Sequence, residues 1–199
     1  MRTFYLLNKL ITSLSTEGLK ETLKEMVYFN RIMVVIEKNI KMEHSIKDKN
    51  MDTIIVNAAN YREYQKKYRI NLHFCKHGSS GLLLCRYNEL MGYQFWTFNN
   101  NLSVLNQLGI SLVKGEAYLY DLYVYPRFRG TVVPRILSVE TFNYLVSHGI
   151  DKIYGFYFKD NVKALWWHKA YLKCKELRQV AISQFFIFEI SGGKLHIGI

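Results

Sequence analysis

The chain is poor in cysteine, in proline and in acidic residues, and each shortage narrows what it can be. Its 199 residues include only 3 cysteines and 2 prolines. Cys75, Cys85 and Cys174 are too few and too scattered for a disulfide framework, so a reducing compartment is expected. With two prolines and no low-complexity run, the chain does not read as a linker or a disordered segment. No stretch approaches the roughly 18 uninterrupted apolar residues of a membrane-crossing helix. The opening MRTFYLLNKLITSL resembles a secretory leader, but Lys9 breaks its apolar run and no small-residue cleavage site follows. The expectation is a cytoplasmic protein with no membrane association.

Asp and Glu number 16 against 27 Lys and Arg, a formal net charge of +11, which favours an acidic partner or substrate. The densest part runs from Lys159 to Arg178 and reads as a basic helix. No helix-turn-helix or zinc-finger spacing occurs, so DNA is not an expected partner.

Hydrophobic residues make up 49% of the chain, enough for a core, and the length suits one domain over 1–199. Residues 1–29 read as a helical N-terminal extension, because Leu19, Leu23, Met26 and Val27 recur at helical spacing. Strands are expected at Arg31–Ile36, Ile54–Val56, Leu82–Arg86, Met91–Phe98, Glu116–Tyr125, Lys152–Phe158, Gln179–Ile190 and Lys194–Ile199. Helices are expected over Ala58–Tyr68, from about Pro134 to Gly149, and over Asn161–Lys175. That order implies an α/β (α+β) fold with a mixed, mostly antiparallel central sheet flanked by helices on both faces.

One stretch organises the rest. Glu116 to Tyr125 is rich in Tyr, Leu and Val, as a buried strand requires, and Pro126 ends it. Arg127-Phe128-Arg129-Gly130 then leads into a helix, with Pro134 near its start and Gly149 as its stop. A glycine-containing loop entering a helix N-terminus can wrap a phosphate, and Arg127, Arg129 and Arg135 add charge there. An ordinary strand–turn–helix with exposed arginines fits the same residues.

Leu122-Tyr123-Val124-x-Pro126-x-x-Arg129-Gly130-x-Val132-x-Pro134-x-x-Leu137 resembles the L-x-V-x-P-x-x-R-G-x-G-x-G-x-x-L motif of the GCN5-related N-acetyltransferase (GNAT) superfamily. Asn161-x-x-Ala164-x-x-x-His168 is similar to the later N-x-x-A/S-x-x-x-Y/H block of that family. The chain departs from the pattern at Val132 and Pro134, where the family usually has Gly, and at Leu172-Lys173, where it usually has Gly-Phe.

The resemblance implies acetyl-CoA (acyl-CoA) as co-substrate, no metal, and transfer of the acyl group to an amine on a small molecule or peptide. It implies a cofactor site from Leu122, Tyr123 and Val124 through Arg129, Gly130, Thr131, Val132, Val133 and Arg135, with Asn161 holding the cofactor arm. A split between the Glu116–Tyr125 and Lys152–Phe158 strands would admit that arm. The positive charge leaves an acyl carrier protein or aminoacyl-tRNA donor open, and a homodimer as well. A non-catalytic binding module with the same fold is the alternative, motivated by Val132 and Pro134.

For the acid, His168 stands at the family's Tyr/His position, and Tyr171 is the substitute on the same helix side. For the base, Glu116 and Asp121 lie on the central strand, and a water chain can replace either. His168 beside the tryptophans, Asn161 as a helix cap and either carboxylate in an ion pair are the plain structural alternatives. His73-x-Cys75-x-His77 would share one face of a strand, but no fourth ligand is nearby and no metal is expected. Trp166 and Trp167 could stack bases, but an amphipathic helix would place them in the core.

Overall fold

The structure is a computed structural model that describes residues 28–185, 188–191 and 194–197, with side chains described over 31–182. In chain order the elements are β1 (Tyr28–Asn39), β2 (Met51–Val56), α1 (Tyr61–Tyr68), a 3-10 turn (His73–His77), β3 (Ser79–Arg86), β4 (Glu89–Thr97), α2 (Ser103–Leu108) and β5 (Glu116–Val124). Next come a 3-10 turn (Pro126–Phe128), α3 (Val133–Ser147), β6 (Lys152–Phe158), α4 (Val162–Leu165), a π turn (Trp166–Tyr171), β7 (Lys175–Phe185), β8 (Phe188–Ser191) and β9 (Lys194–Ile197). The extension expected over 1–29 lies outside the described residues as far as Val27; Tyr28 and Phe29 already belong to β1.

The residues form two compact units: Glu37–Gly155, and the described residues outside that span. In the larger unit β2, β3, β4 and β5 run antiparallel in that order, and β5 pairs in parallel with the start of β6. The mixed, mostly antiparallel sheet expected from the order of elements is therefore present. Side chains alternate across it. Tyr93 and Phe95 face one way, opposite Tyr123 and Tyr120 on β5. On this face Leu83, Cys85, Leu90 and Phe95 pack with Tyr61 of α1 and with Leu72 and Cys75 at the 3-10 turn. Trp96 faces the other way and meets α3, its ring 5.3 Å from Tyr144. Helices thus cover both faces. In the smaller unit β1, β7, β8 and β9 lie side by side in that order.

Local chemistry sets the ends of α3. The Val133 N–H donates to the Thr131 hydroxyl at 3.2 Å, and Pro134 sits in the first turn, where a missing N–H costs little. At the far end the Ile150 N–H reaches the Leu145 carbonyl and the Gly149 N–H the Val146 carbonyl, both at 3.0 Å, with Gly149 at φ +79°. This is the paired closure that a left-handed residue after the last turn permits, and it places the stop where the sequence predicts it.

Three expectations are corrected. The β3–β4 connection is a two-residue turn, Tyr87-Asn88, rather than Tyr87 to Leu90; both residues have positive φ (49° and 63°), which matches the twist of a tight hairpin. The helix expected over Asn161–Lys175 is a four-residue helix and a π turn, and Lys175 already starts β7, so Lys159 to Arg178 is not one basic helix. His73, Cys75 and His77 lie on a 3-10 turn, not a strand. Cys75 is buried, which pushes its thiol up to about 12, while His77 is exposed.

Gly81 is fixed by a close approach. A Cβ there would lie 2.1 Å from the Phe95 ring and 3.1 Å from the Gln94 carbonyl. Gly81→Ala is expected to lower stability by about 1–3 kcal/mol, the range for overpacking a filled core. Urea unfolding should show a lower midpoint with an unchanged slope. An unshifted midpoint would mean that Phe95 moves freely.

Candidate active site

The strand–loop–helix unit is built around an irregularity in β5. Tyr93 pairs with Tyr123 but Phe95 pairs with Tyr120, so Asp121 and Leu122 together oppose Gln94 alone. This is a β-bulge, and Asp121 sits in it at φ +55°. The buried Gln94 amide donates to the Tyr120 carbonyl at 2.8 Å and to the Phe95 carbonyl at 3.2 Å, which pins the bulge. On the opposite edge β5 pairs with β6 only at Glu116↔Lys152, Ala117↔Ile153 and Tyr118↔Tyr154. Past Tyr118 that edge has no ladder partner among the described residues.

Past β5 the chain turns tightly. The Phe128 N–H donates to the Tyr125 carbonyl at 2.9 Å and the Arg129 N–H to the Pro126 carbonyl at 3.2 Å. The Arg129 side chain folds back: its Nε donates to the Val124 carbonyl at 2.9 Å, and its guanidinium lies 5.5 Å from the centre of the Tyr123 ring. Arg127 pairs with Glu89. Of the three loop arginines, Arg135 alone makes no ion pair or side-chain hydrogen bond among the described residues.

The loop leaves backbone donors unused. Val133 gives its N–H to Thr131, and Pro134 has none. The N–H groups of Gly130, Thr131, Val132 and Arg135 have no partner among the described residues. Gly130, at φ +75°, has nothing within 4 Å of where a Cβ would stand. Val132 is 48% exposed, and Val133 and Val124 are buried and anchor the two ends. Unpaired N–H groups at the start of a 15-residue helix, with one unpaired arginine beside them, suit a phosphate or pyrophosphate.

The two carboxylates differ. Burial acts to raise the Glu116 carboxyl, but hydrogen bonds from the Val113 N–H (3.2 Å), Lys152 (3.2 Å) and Tyr154 (3.0 Å) outweigh it and hold it below its ordinary value. Every neighbour favours a fixed anion. Asp121 has an exposed surface, yet the protein packed around it pushes its carboxyl up. Only Asp121 combines access to water with a raised affinity for a proton.

Asn161, His168 and Tyr171 belong to the smaller unit. Asn161 caps α4, its side-chain oxygen accepting from the Ala164 N–H at 3.1 Å. The His168 ring stacks on Tyr157 at 5.7 Å and 12°, and its Nδ1 is buried with no partner among the described residues. Burial lowers its pKa to about 4. Tyr171 does not share the side of His168, as a regular α-helix would make it do. The π turn carries it onto Trp167, at 4.5 Å, and Trp166, at 6.1 Å. Lys173, just after the π turn, adopts φ +55°.

Gln94 was not singled out from the sequence. A lone amide inside the strand Met91-Gly92-Tyr93-Gln94-Phe95-Trp96 was its only signal.

No protein-family model matches the chain, and no curated protein sequence matches it. Its three-dimensional structure does have counterparts. It is similar to an acetyltransferase classed in the GNAT family from Novosphingobium aromaticivorans (TM-score 0.55, 9% identity, 78% of this chain and 63% of that one). A tandem GNAT protein from the clavulanic acid biosynthesis pathway gives 0.54 at 10% identity, over 78% of this chain and 54% of that one. A GCN5-related N-acetyltransferase-like protein from Streptococcus suis gives 0.52 at 7%, over 85% of this chain and 68% of that one. The chain thus spans 63% of the length of the first of these. At such identities the shared property is the fold, that of the GNAT acetyltransferases.

His168 yields a pH prediction. Its folded pKa, about 4, lies below the ordinary value of 6.5, so the unfolded chain takes up its proton first as pH falls. Its contribution to stability is complete above pH 6.5 and is lost as pH falls from there towards 4. Urea midpoints of the wild type and His168→Gln should converge over that window. A constant difference would place the imidazole in contact with water.

Proposed function

We propose that the protein is an acyl-CoA-dependent N-acyltransferase, moving an acetyl or other acyl group to an amine of a small molecule or peptide. The supporting observation is the set of unused N–H groups at Gly130, Thr131, Val132 and Arg135, next to a β5 edge that has left its ladder. The N–H groups and the Arg135 guanidinium hold the pyrophosphate. The open edge around Leu122, Tyr123 and Val124 offers main-chain groups to the pantetheine amides and to the thioester carbonyl. Val132 leaves the donors uncovered because its side chain points to solvent, and Pro134 removes one donor from the set. Arg129 orients the loop and does not contact the phosphates.

Asp121 is the base for the incoming ammonium, directly or through water. Glu116 is too well satisfied to accept a proton near neutrality. Of the two candidate acids, His168, with its lowered pKa, is neutral and a poor donor, and Tyr171 is stacked on the tryptophans. A second reading, a binding module without catalysis, rests on Val132 and Pro134; donation from an acyl carrier protein or aminoacyl-tRNA rests on the +11 charge.

Isothermal titration with acetyl-CoA should give saturable binding by the wild type. Gly130→Asp fills the open space with a negative charge and should abolish it. Arg135→Ala removes a charge-assisted contact and should weaken it about 10- to 100-fold. Free thiol released on adding an amine would then distinguish enzyme from module. No heat with wild type overturns the acyl-CoA reading and leaves a macromolecular donor or a module.

A further inference from the structure

The smaller unit carries a surface that acyl transfer leaves unused. Helical spacing placed Trp166 and Trp167 in the core, but Trp166 is 58% exposed. The π turn is the cause. Its wider spacing brings Tyr171 alongside Trp166, 25° from parallel, while Tyr171 also stacks on Trp167 at 16°. Three near-parallel rings result, and Trp166 is the most exposed of them.

The chain that carries these rings is rich in positive charge. From Lys159 to Arg178 the chain has six cationic residues and two acids, Asp160 and Glu176. Both acids are engaged: Asp160 with Arg31 at 2.7 Å, and Glu176 with Lys169 at 3.2 Å and the Tyr157 hydroxyl at 2.7 Å. Lys163 and Lys173 are exposed and make no ion pair among the described residues. The surface is therefore cationic in effect as well as in composition.

We infer that the Trp166–Tyr171 surface binds single-stranded nucleic acid, with a base continuing the ring stack on Trp166 and phosphates meeting Lys163 and Lys173. Stacking is tolerant of base identity, and a flexible polyanion can satisfy separated lysines while presenting an unpaired base to an exposed ring. A duplex keeps its bases stacked internally and cannot. A lipid surface fits less well. The rings are stacked on one another instead of spread as separate anchors, and Lys163 and Lys169 interrupt the apolar stripe from Val162 to Tyr171.

The test is fluorescence anisotropy of labelled oligouridylate and oligodeoxythymidylate, each about fifteen nucleotides, within the ~4–16 nucleotide site sizes of such surfaces. Wild type should bind at least one of the two, with affinity falling steeply as salt rises. Trp166→Ala should weaken binding at least about fivefold, and Trp166→Phe should restore most of it. Lys163→Gln and Lys173→Gln should each reduce the salt slope by about one. Trp166 is exposed, so circular dichroism should show unaltered folding. The inference is overturned by no binding to either strand, by binding that ignores Trp166→Ala, or by preference for phosphatidylglycerol vesicles. It is also overturned if an equimolar amount of coenzyme A displaces the strand, since the surface would then belong to the acyl donor. The inference does not depend on acyl transfer: failed acetyl-CoA titration with retained oligonucleotide binding, or the reverse, separates the two.

Discussion

The candidate site depends on how little holds β5 on one of its sides. One edge is laced to β4 and kinked by the Asp121–Leu122 bulge; the other is tied to β6 at Glu116, Ala117 and Tyr118 and has no further ladder partner among the described residues. A bulge raises local twist and ends regular pairing, and here Gln94 makes it permanent by satisfying the Tyr120 carbonyl. The loop and α3 are arranged from that strand end. Pro126 stops the strand, Arg129 hooks its side chain onto the Val124 carbonyl, and the turn delivers Gly130 to the start of α3. Because α3 is anchored by buried Val133, Ile136, Leu137 and Phe142, its N-terminus cannot swing away to satisfy its own donors. Unused N–H groups persist because packing elsewhere holds them in place.

The face of β4 and β5 that carries Tyr93, Phe95, Tyr120 and Tyr123 is lined with aromatic rings and little charge. Phe74 sits edge-on to Phe95 at 4.3 Å, and Tyr93 stacks on Tyr123 at 5.3 Å. Burial pushes the Tyr118 and Tyr120 hydroxyls well above their ordinary range, so they remain protonated at any working pH. The carboxyl on the bulge is thus set in surroundings that disfavour charge, consistent with the rise in Asp121. The same rule acts on His168, where burial beside Tyr157 favours the neutral ring.

Much of this was legible in the residues. The breaker-free Tyr/Leu/Val run, Pro126, Gly130 and Gly149 marked β5, the loop and the end of α3, because those residues act through local backbone constraints. The alternation of strands and helices placed helices on both faces of the sheet. The rest depended on partners distant in sequence. No pattern distinguishes Glu116 from Asp121 until Lys152 and Tyr154 arrive from β6. Gln94 means nothing until the Tyr120 carbonyl stands opposite. Helical periodicity misread Trp166 and Tyr171, since a π turn changes which residues share a side without any proline or glycine to signal it. Arg129 braces the loop through the Val124 carbonyl, a contact that its place in the sequence does not announce.

The central claim is that the open β5 edge and the loop donors form one acyl-donor site. Amide hydrogen exchange, resolved by residue, with and without coenzyme A tests it directly. The account predicts slower exchange at Gly130, Thr131, Val132 and Arg135 together with the stretch from Leu119 to Val124, and no change along β2 and β3. Protection of the loop alone, or of neither segment, would contradict it.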